Sequence, residues 1–451
     1  MREDSFSRDW TEGSIVRNLW SLSWPMMISS SLMTLGPTID MIWIGKLGST
    51  SMAAVGVSGM AVMVANSLIM GVFAGLRAMV ARYVGAGDIR GANHVTQQAF
   101  TLGAALAAFM AIIGVFFSEQ ILTLLGVEAD VIELGAAYMR IQFIGMITMS
   151  VLRISEASMQ ASGDSVTPMR IAIFFRLLHL GLSPAFIFGL WIFPEMGIRG
   201  AALAGVITQG IGGGIGLWFL MTGRTRMKLT FRNFGVNPGI IWRLVKIGIP
   251  ASITGMGRSF ANLLLVTFIS PFGTIAVAAH SLMQRVDGFV NMPATGFGVG
   301  AGVLVGQNLG AGKPDRAERS GWTAAVIFTT IMVFGSLFIW FFSPHIIRIF
   351  NSEPELVEIG TAFLHIQIVS YLVFGCTVVL SQSLNGAGDT MIPMIVTLFT
   401  MCFVQLPMAY LFTRTSIGAA GVRWGVVSGM AVRTVIYTTY FKKGRWKRKK
   451  L

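Results

Sequence analysis

Apolar residues run through this chain in long unbroken stretches rather than short alternating ones. Segments such as 102–117 and 324–342 are apolar on every side. Neither the two-residue period of a half-buried strand nor the polar face of a soluble helix can be drawn through them. Such stretches recur at about the 20 residues a helix needs to cross a ~30 Å hydrocarbon core. Open sheets and lipid-exposed loops are excluded there because their backbone polar groups would go unsatisfied, and a transmembrane barrel would alternate. The expectation is an all-α integral membrane protein. Clusters of Gly, Pro and charge (GAGDIRGAN, WIFPEMG, GAGKPDRAE, NSEPE) divide it into twelve spans near 19–44, 54–76, 95–117, 134–157, 169–190, 199–221, 245–269, 275–300, 321–342, 360–384, 392–413 and 418–440.

The spans repeat. At an offset of 225 residues, Pro25 meets Pro250, Gly48 meets Gly273, and Ala53–Ala54 meets Ala278–Ala279. In the same register Gly71 and Gly75 meet Gly296 and Gly300, Gly85–Ala86–Gly87 meets Gly310–Ala311–Gly312, and Gly163–Asp164 meets Gly388–Asp389. A single matched glycine carries nothing, but this register runs from Pro25 to Met169 without a gap. Each half holds six spans, an even number, so both enter the membrane from the same side. A parallel repeat of two six-helix lobes follows, with its pseudo-twofold axis along the membrane normal, an arrangement that can alternate access to a central cavity. The expected divisions are a first lobe at 1–222, a cytoplasmic linker at 223–244, a second lobe at 245–441 and a basic tail at 442–451. A rigid channel is the plainer use of a duplicated bundle, but no filter loop or ring of like charges is present to support it.

Composition sharpens this picture. Of 451 residues, 54% are hydrophobic and 12% charged, against about 25% charged in soluble domains. The net charge of +14 would suggest nucleic acid in a soluble protein. Here seven Lys/Arg lie in the last ten residues and six between Arg224 and Lys246, the mark of cytoplasmic loops beside anionic lipid. The alternate gaps hold only Lys46, Arg199, Arg348 and Arg414, which places both termini in the cytoplasm. Nucleic acid is therefore not an expected partner; membrane lipid is. Cys376 and Cys402 both fall in apolar stretches and make neither a disulfide framework nor a metal site. The polar N-terminus lacks a signal-peptide core.

These residues resemble the multidrug and toxic compound extrusion (MATE) family over essentially the whole chain. The carriers are PTIDMIWIGKLG in the first span, AVAAHS and VDGFVNMPATGFGVGAGVLVGQNLGAG in the eighth, and the paired segments QASGDSVTPM and NGAGDTMIPM. The resemblance implies a V-shaped fold of two six-helix lobes and H⁺- or Na⁺-coupled export, commonly of organic cations. Length and first-helix pattern are most similar to the DinF-like branch. The sodium-coupled NorM-like members carry carboxylates in the seventh and tenth helices, where this chain has Arg258 and, roughly, Phe374. A fifth-helix pattern that often places Asp before Pro reads Leu182–Ser183–Pro184 here. The missing second-lobe carboxylates favour H⁺ over Na⁺.

Ionisable groups inside spans cost ~2.5 kcal/mol or more in hydrocarbon, so they should face a cavity or one another. Asp40 has apolar Ile39, Met41, Ile42 and Trp43 around it and no basic residue at helical spacing. A carboxyl there can exchange a proton as its surroundings change, which makes it the expected proton-coupling and cation-attracting residue. The plainer alternative is a static acid bonded to a neighbouring helix. Pro37 frees a carbonyl nearby and can kink the helix beside it. Met33, Gly36, Pro37, Met63, Asn66, Ser67, Met70, His179 and Ser183 are the substrate-cavity candidates, methionines offering an adaptable apolar surface. Ordinary helix packing is the alternative for each.

Arg153, Glu156, Arg176, Arg258, Arg285 and Asp287 form a candidate network of membrane charges. Arg153 and Glu156 meet at helical spacing, as a structural pair or a gate; Arg285 and Asp287 point apart, so Asp287 needs an Arg from another helix. None of these charges is duplicated: Asp40 aligns with Leu265 and Arg258 with Met33. The scaffold is symmetric while its ionisable chemistry belongs to one lobe or the other.

The expected activity is antiport: a monomeric inner-membrane exporter of small organic cations and other xenobiotics, without cofactor or metal, exchanging them for protons. A Na⁺-coupled exporter and a lipid-linked precursor flippase are the alternatives within transport. The flippase would need a cationic cavity, with Arg77, Arg176, Arg258 and Arg285 to line it. A membrane enzyme is the rival from another class, and no catalytic constellation supports it.

Overall fold

The computed structural model describes residues 9–231, 234–350 and 353–449. Parts of the expected N-terminal tail, linker, ninth-to-tenth gap and basic tail (1–8, 232–233, 351–352 and 450–451) lie outside the described residues. Twelve helical rods account for the described chain, and no strand occurs among its residues. They are α1 (Ile15–Gly45), α2 (Ser49–Gly85), α3 (Ile89–Leu124), α4 (Ala129–Ser162), α5 (Val166–Phe188), α6 (Ile198–Thr222), α7 (Pro238–Ile269), α8 (Thr274–Gly310), α9 (Pro314–Phe350), α10 (Pro354–Gly386), α11 (Met391–Thr413) and α12 (Gly421–Lys443). Ten are long and apolar enough to cross a membrane by composition alone. The other two, α1 with its Ser and Thr and α12 with Arg423 and Arg433, need polar surroundings along part of their length.

The helices overrun the apolar stretches that announce them. α2, α8 and α9 each have 37 residues, or about 55 Å at 1.5 Å per residue, well beyond a ~30 Å hydrocarbon core. The repeat is visible in their ends. α2 and α8 start and stop 225 residues apart, and so do α5 and α11. Gly48 and Gly273 precede α2 and α8 with φ of 107° and 97°, a backbone that a β-carbon would strain. Matched glycines at this point in the repeat are a steric requirement of the turn.

Two compact units divide the chain. One holds residues 28–252 together with the N-terminal Met1–Trp10 segment, and the other holds Thr11–Met27 with Ile253–Leu451. The first unit thus takes in the linker and the first half of α7, and the second takes in the first half of α1. Both crossings fall two residues beyond a proline, Pro25 or Pro250, and they too are 225 residues apart.

The glycine stripes of the repeat explain why those half-helices lodge where they do. In the first unit, a β-carbon on Gly71 would stand 2.2 Å from the Gly248 carbonyl oxygen, and one on Gly75 2.8 Å from that of Leu244. In the second unit, β-carbons on Gly296 and Gly300 would strike Met26, Met27 and Ser23. Bare helix surface lets backbones touch where apolar side chains gain nothing over lipid. Gly71→Ala should therefore destabilise the protein by about 1–3 kcal/mol, as overpacking against backbone does, read as a lower melting temperature in detergent. Gly214→Ala, with nothing within 4 Å of the added carbon, is the control and should melt at or above the wild-type temperature.

Each unit buries an equivalent cluster. Ile44, Ala54 and Val131 lie in the first unit's cluster, with Ile187 and Ile198. Their repeat partners Ile269, Ala279 and Leu356 lie in the second's. The chain beyond α12 is also tied down. Trp446 is fully buried and stacks on Phe441 at 4.5 Å, while Lys447 reaches Glu318 at 2.5 Å and Asp315 at 3.2 Å. The bond to Glu318, then that to Asp315, holds the Lys447 ammonium above its ordinary range.

Candidate functional site

Pro37 has no N–H for the carbonyl of Met33, four residues back along α1. In the first unit that oxygen accepts instead from Arg176 of α5, Nη2 to O at 3.1 Å. Gly36 makes the approach possible: a β-carbon there would overlap the guanidinium. Arg176 is 8% exposed and finds in this carbonyl the partner that its burial demands.

From Arg176 a chain of polar contacts leads to Asp40. Arg176 Nη1 lies 3.4 Å from His179 Nδ1, and His179 Nε2 lies 3.4 Å from Asp40 Oδ2. A guanidinium only donates, so Nδ1 accepts and the ring's proton sits on Nε2, facing the carboxyl. The other carboxyl oxygen is held more tightly, with Ser183 Oγ donating to Oδ1 at 2.6 Å. Arg176, His179 and Ser183 recur every three or four residues of α5, one face of the helix. Asp40 is thus bonded by a hydroxyl and a neutral ring, with the fixed charge of Arg176 one residue removed. Its side chain keeps 19% of its surface open.

The structure thereby brings together Asp40, Met33, Gly36, Pro37, Arg176, His179 and Ser183. Tyr138 of α4, which takes a bond from Gln142 at 2.9 Å, is within electrostatic reach of Asp40; nothing in the sequence singled it out. The candidates on α2 show a different setting. Met63 and Met70 are 58% and 44% exposed, Ser67 bonds back to the Met63 carbonyl at 2.9 Å, and Asn66 Oδ1 is buried without a partner. α1 itself stays helical through Pro37.

The remaining charges of this unit meet elsewhere. Arg153 and Glu156 pair at 3.4 Å, Gln160 donates to the second carboxylate oxygen at 3.1 Å, and Arg77 lies within reach of both charges.

In the second unit Asp287 is bound quite differently from Asp40. Arg423 of α12, 2% exposed, places Nη1 at 3.4 Å from its Oδ2. Tyr371 of α10 donates to its Oδ1 at 2.5 Å. The other end of the guanidinium, Nη2, reaches the His280 carbonyl at 3.1 Å and His280 Nδ1 at 3.2 Å. Arg285, two residues before Asp287, is exposed. One acid is therefore neutralised by a buried cation and the other is not. Among the described residues, no group of three or more His, Cys, Asp or Glu is placed to hold a metal ion.

Comparison with known proteins gives this geometry its family. The chain is 28% identical over 448 residues, 98% of both chains, to the probable multidrug resistance protein YpnP of Bacillus subtilis (strain 168). Its fold matches a MOP superfamily transporter from Pyrococcus furiosus Vc1 (DSM3638), with a TM-score of 0.91 at 24% identity over 98% of both chains. It also matches the outward-facing conformation of a multidrug resistance MATE family transporter, with a TM-score of 0.90 at 23% identity over 96% of both. The MatE family profile covers residues 25–185 and 250–411, one match in each half of the repeat. The chain belongs to the MatE family, and it is a multi-pass membrane transporter rather than an enzyme.

Proposed function

We propose that this transporter exports small organic cations and other xenobiotics in exchange for protons, by alternating access. The observation that carries the reading is Asp40: a carboxyl within a membrane span whose direct partners, Ser183 and His179, are both uncharged. Such an acid can hold a proton or a cation, because no guanidinium or ammonium is bonded to it directly to keep it ionised. Ionised, it attracts a cationic compound; protonated, it releases it. Arg176, anchored on Met33 beside Pro37, links the carboxyl to a point of α1 where the backbone ladder is open. The multidrug resistance names of the relatives agree with a varied cargo.

The same proposal places the chain in the DinF-like branch, as a monomer in the inner membrane. Both termini are cytoplasmic, on the side where Lys and Arg gather. Arg258 and Phe374, near the positions where the sodium-coupled relatives carry carboxylates, favour protons over sodium.

Purified protein in sealed vesicles tests the coupling. A pH gradient without sodium should drive ethidium transport, and added ethidium should move protons the opposite way. A sodium gradient at constant pH should drive none. Ethidium movement driven by sodium alone, or absent under every pH gradient, overturns the reading.

A further inference from the structure

The second unit carries a mid-span site of the opposite charge. α11 breaks from an α-helix at Met391–Phe399 into a π turn over Thr400–Gln405 and resumes at Leu406–Thr413. Pro407 supplies the reason, since it lacks an N–H and its ring would crowd the carbonyl of Phe403; one residue of extra winding relieves both. Turns of this kind recur at functional sites. Here the turn begins at Thr400, whose Oγ1 donates to the Val396 carbonyl at 2.8 Å and accepts from Arg433 Nε of α12 at 2.9 Å. One turn along α12, Tyr437 donates to the Pro393 carbonyl at 3.1 Å and meets Thr397 Oγ1 at 3.1 Å.

These bonds fix the Arg433 guanidinium by its Nε edge and leave its Nη2 buried without a partner. Arg433 is 8% exposed. It lies ten or more residues from either end of α12, about 15 Å of helix, too far for its head to reach an interface. Arg258 of α7 stands within electrostatic reach of it, placed there by the packing of neighbouring Gly257 against Leu398 of α11. Among the described residues, neither guanidinium is ion-paired with a carboxylate. The contrast with Arg423 is direct. Where this unit buries Arg423 it provides Asp287; at Arg433 it buries a guanidinium without an acid and leaves a second cation, Arg258, within electrostatic reach, an arrangement that is costly until an anion joins it.

We propose that Arg258 and Arg433, the latter oriented by Thr400, form an oxyanion-binding subsite that takes the carboxylate or phosphate group of an exported amphiphile. The proposal rests on the export reading and extends its cargo from plain cations to zwitterions. A planar guanidinium with a free Nη2 is suited to such groups, donating to both oxygens of one anion. The depth of the site favours a compound in transit over a lipid headgroup.

A matched pair of dyes tests it: tetramethylrhodamine, with a free carboxylate, and its methyl ester, with the same cationic ring. Anisotropy titration of the full-length protein in detergent should show tighter binding of the acid. Arg433→Gln and Arg258→Gln should each weaken acid binding by about tenfold and leave ester binding within about twofold. Arg433→Lys should fall between, as a point charge replaces a fork. If Arg433→Gln does not fold, the exposed Arg258 decides. No binding of the acid, equal affinity for acid and ester in the wild type, or an equal loss of both in the variants overturns the proposal. Phosphatidylglycerol that competes with the acid alone, and only in wild type, identifies a lipid phosphate as an alternative source of the same oxyanion. Proton-driven transport of the ester is scored separately: its failure removes the coupling reading and leaves the arginine subsite standing.

Discussion

Asp40→Asn should reduce proton-driven ethidium transport to the level of protein-free vesicles while ethidium binding stays measurable. The substitution is almost isosteric. Asn can turn its oxygen to the Nε2–H of His179 and donate its amide to the Ser183 hydroxyl, which now lies 2.6 Å from the carboxyl. The packing of α1 on α5 through Met33 and Arg176 does not involve the carboxyl at all. What disappears is titration: the side chain remains neutral in every conformation, so a pH gradient has nothing to act on. Asp40→Glu, which still titrates but reaches past Ser183, should keep part of the activity. The decisive comparison is the rate of ethidium movement per protein at several imposed gradients, for wild type and both variants. Full proton-driven transport by Asp40→Asn would remove Asp40 from the mechanism.

The two carboxyls differ in how far they can be read from sequence. Asp40 stands out because a lone acid among Ile39, Met41, Ile42 and Trp43 is conspicuous in any apolar window. The twelve spans and the two-unit repeat are legible for a related reason: apolar runs and matched glycines are local features whose register survives in α2 and α8 to the residue. The partners are less accessible. Arg176 reaches Met33 across 143 positions of chain, and the cue is indirect, a proline that frees the carbonyl four residues back beside a glycine that leaves room. Arg423 and Asp287, 136 residues apart, offer no local cue, because two helices that pair in space need share no spacing in sequence. The Thr400–Arg433 contact is hidden further, since it exists only where Pro407 converts one turn of α11 to π winding. An ideal 3.6-residue period drawn through α11 assigns faces that this turn then rotates.

Arg423→Ala should destabilise the protein by about 3–5 kcal/mol, the usual consequence of leaving a buried ion without its partner. The truncation removes the 3.4 Å contact to Asp287 and both bonds to His280. It also opens space beside Phe363, over whose ring the guanidinium lies at 5.8 Å. Tyr371 still donates to the carboxyl at 2.5 Å, but a phenol supplies no compensating charge. In detergent the variant should melt well below wild type or fail to elute as a single species. Combining Arg423→Met with Asp287→Asn removes both charges while Asn still accepts from Tyr371. That double variant should recover at least half of the loss, because an apolar replacement of a buried pair is often neutral. A single variant as stable as wild type, or a double variant no better than the single, would show that the pair does not hold this unit together. Asp40→Asn, by contrast, strands no cation, since Arg176 already rests on a backbone carbonyl, and it should melt within about 1 kcal/mol of wild type. The same residue type is thus a structural counter-ion on α8 and an exchangeable group on α1. The difference lies in the partner: a guanidinium fixed against the carboxylate in one case, a hydroxyl and a neutral ring in the other.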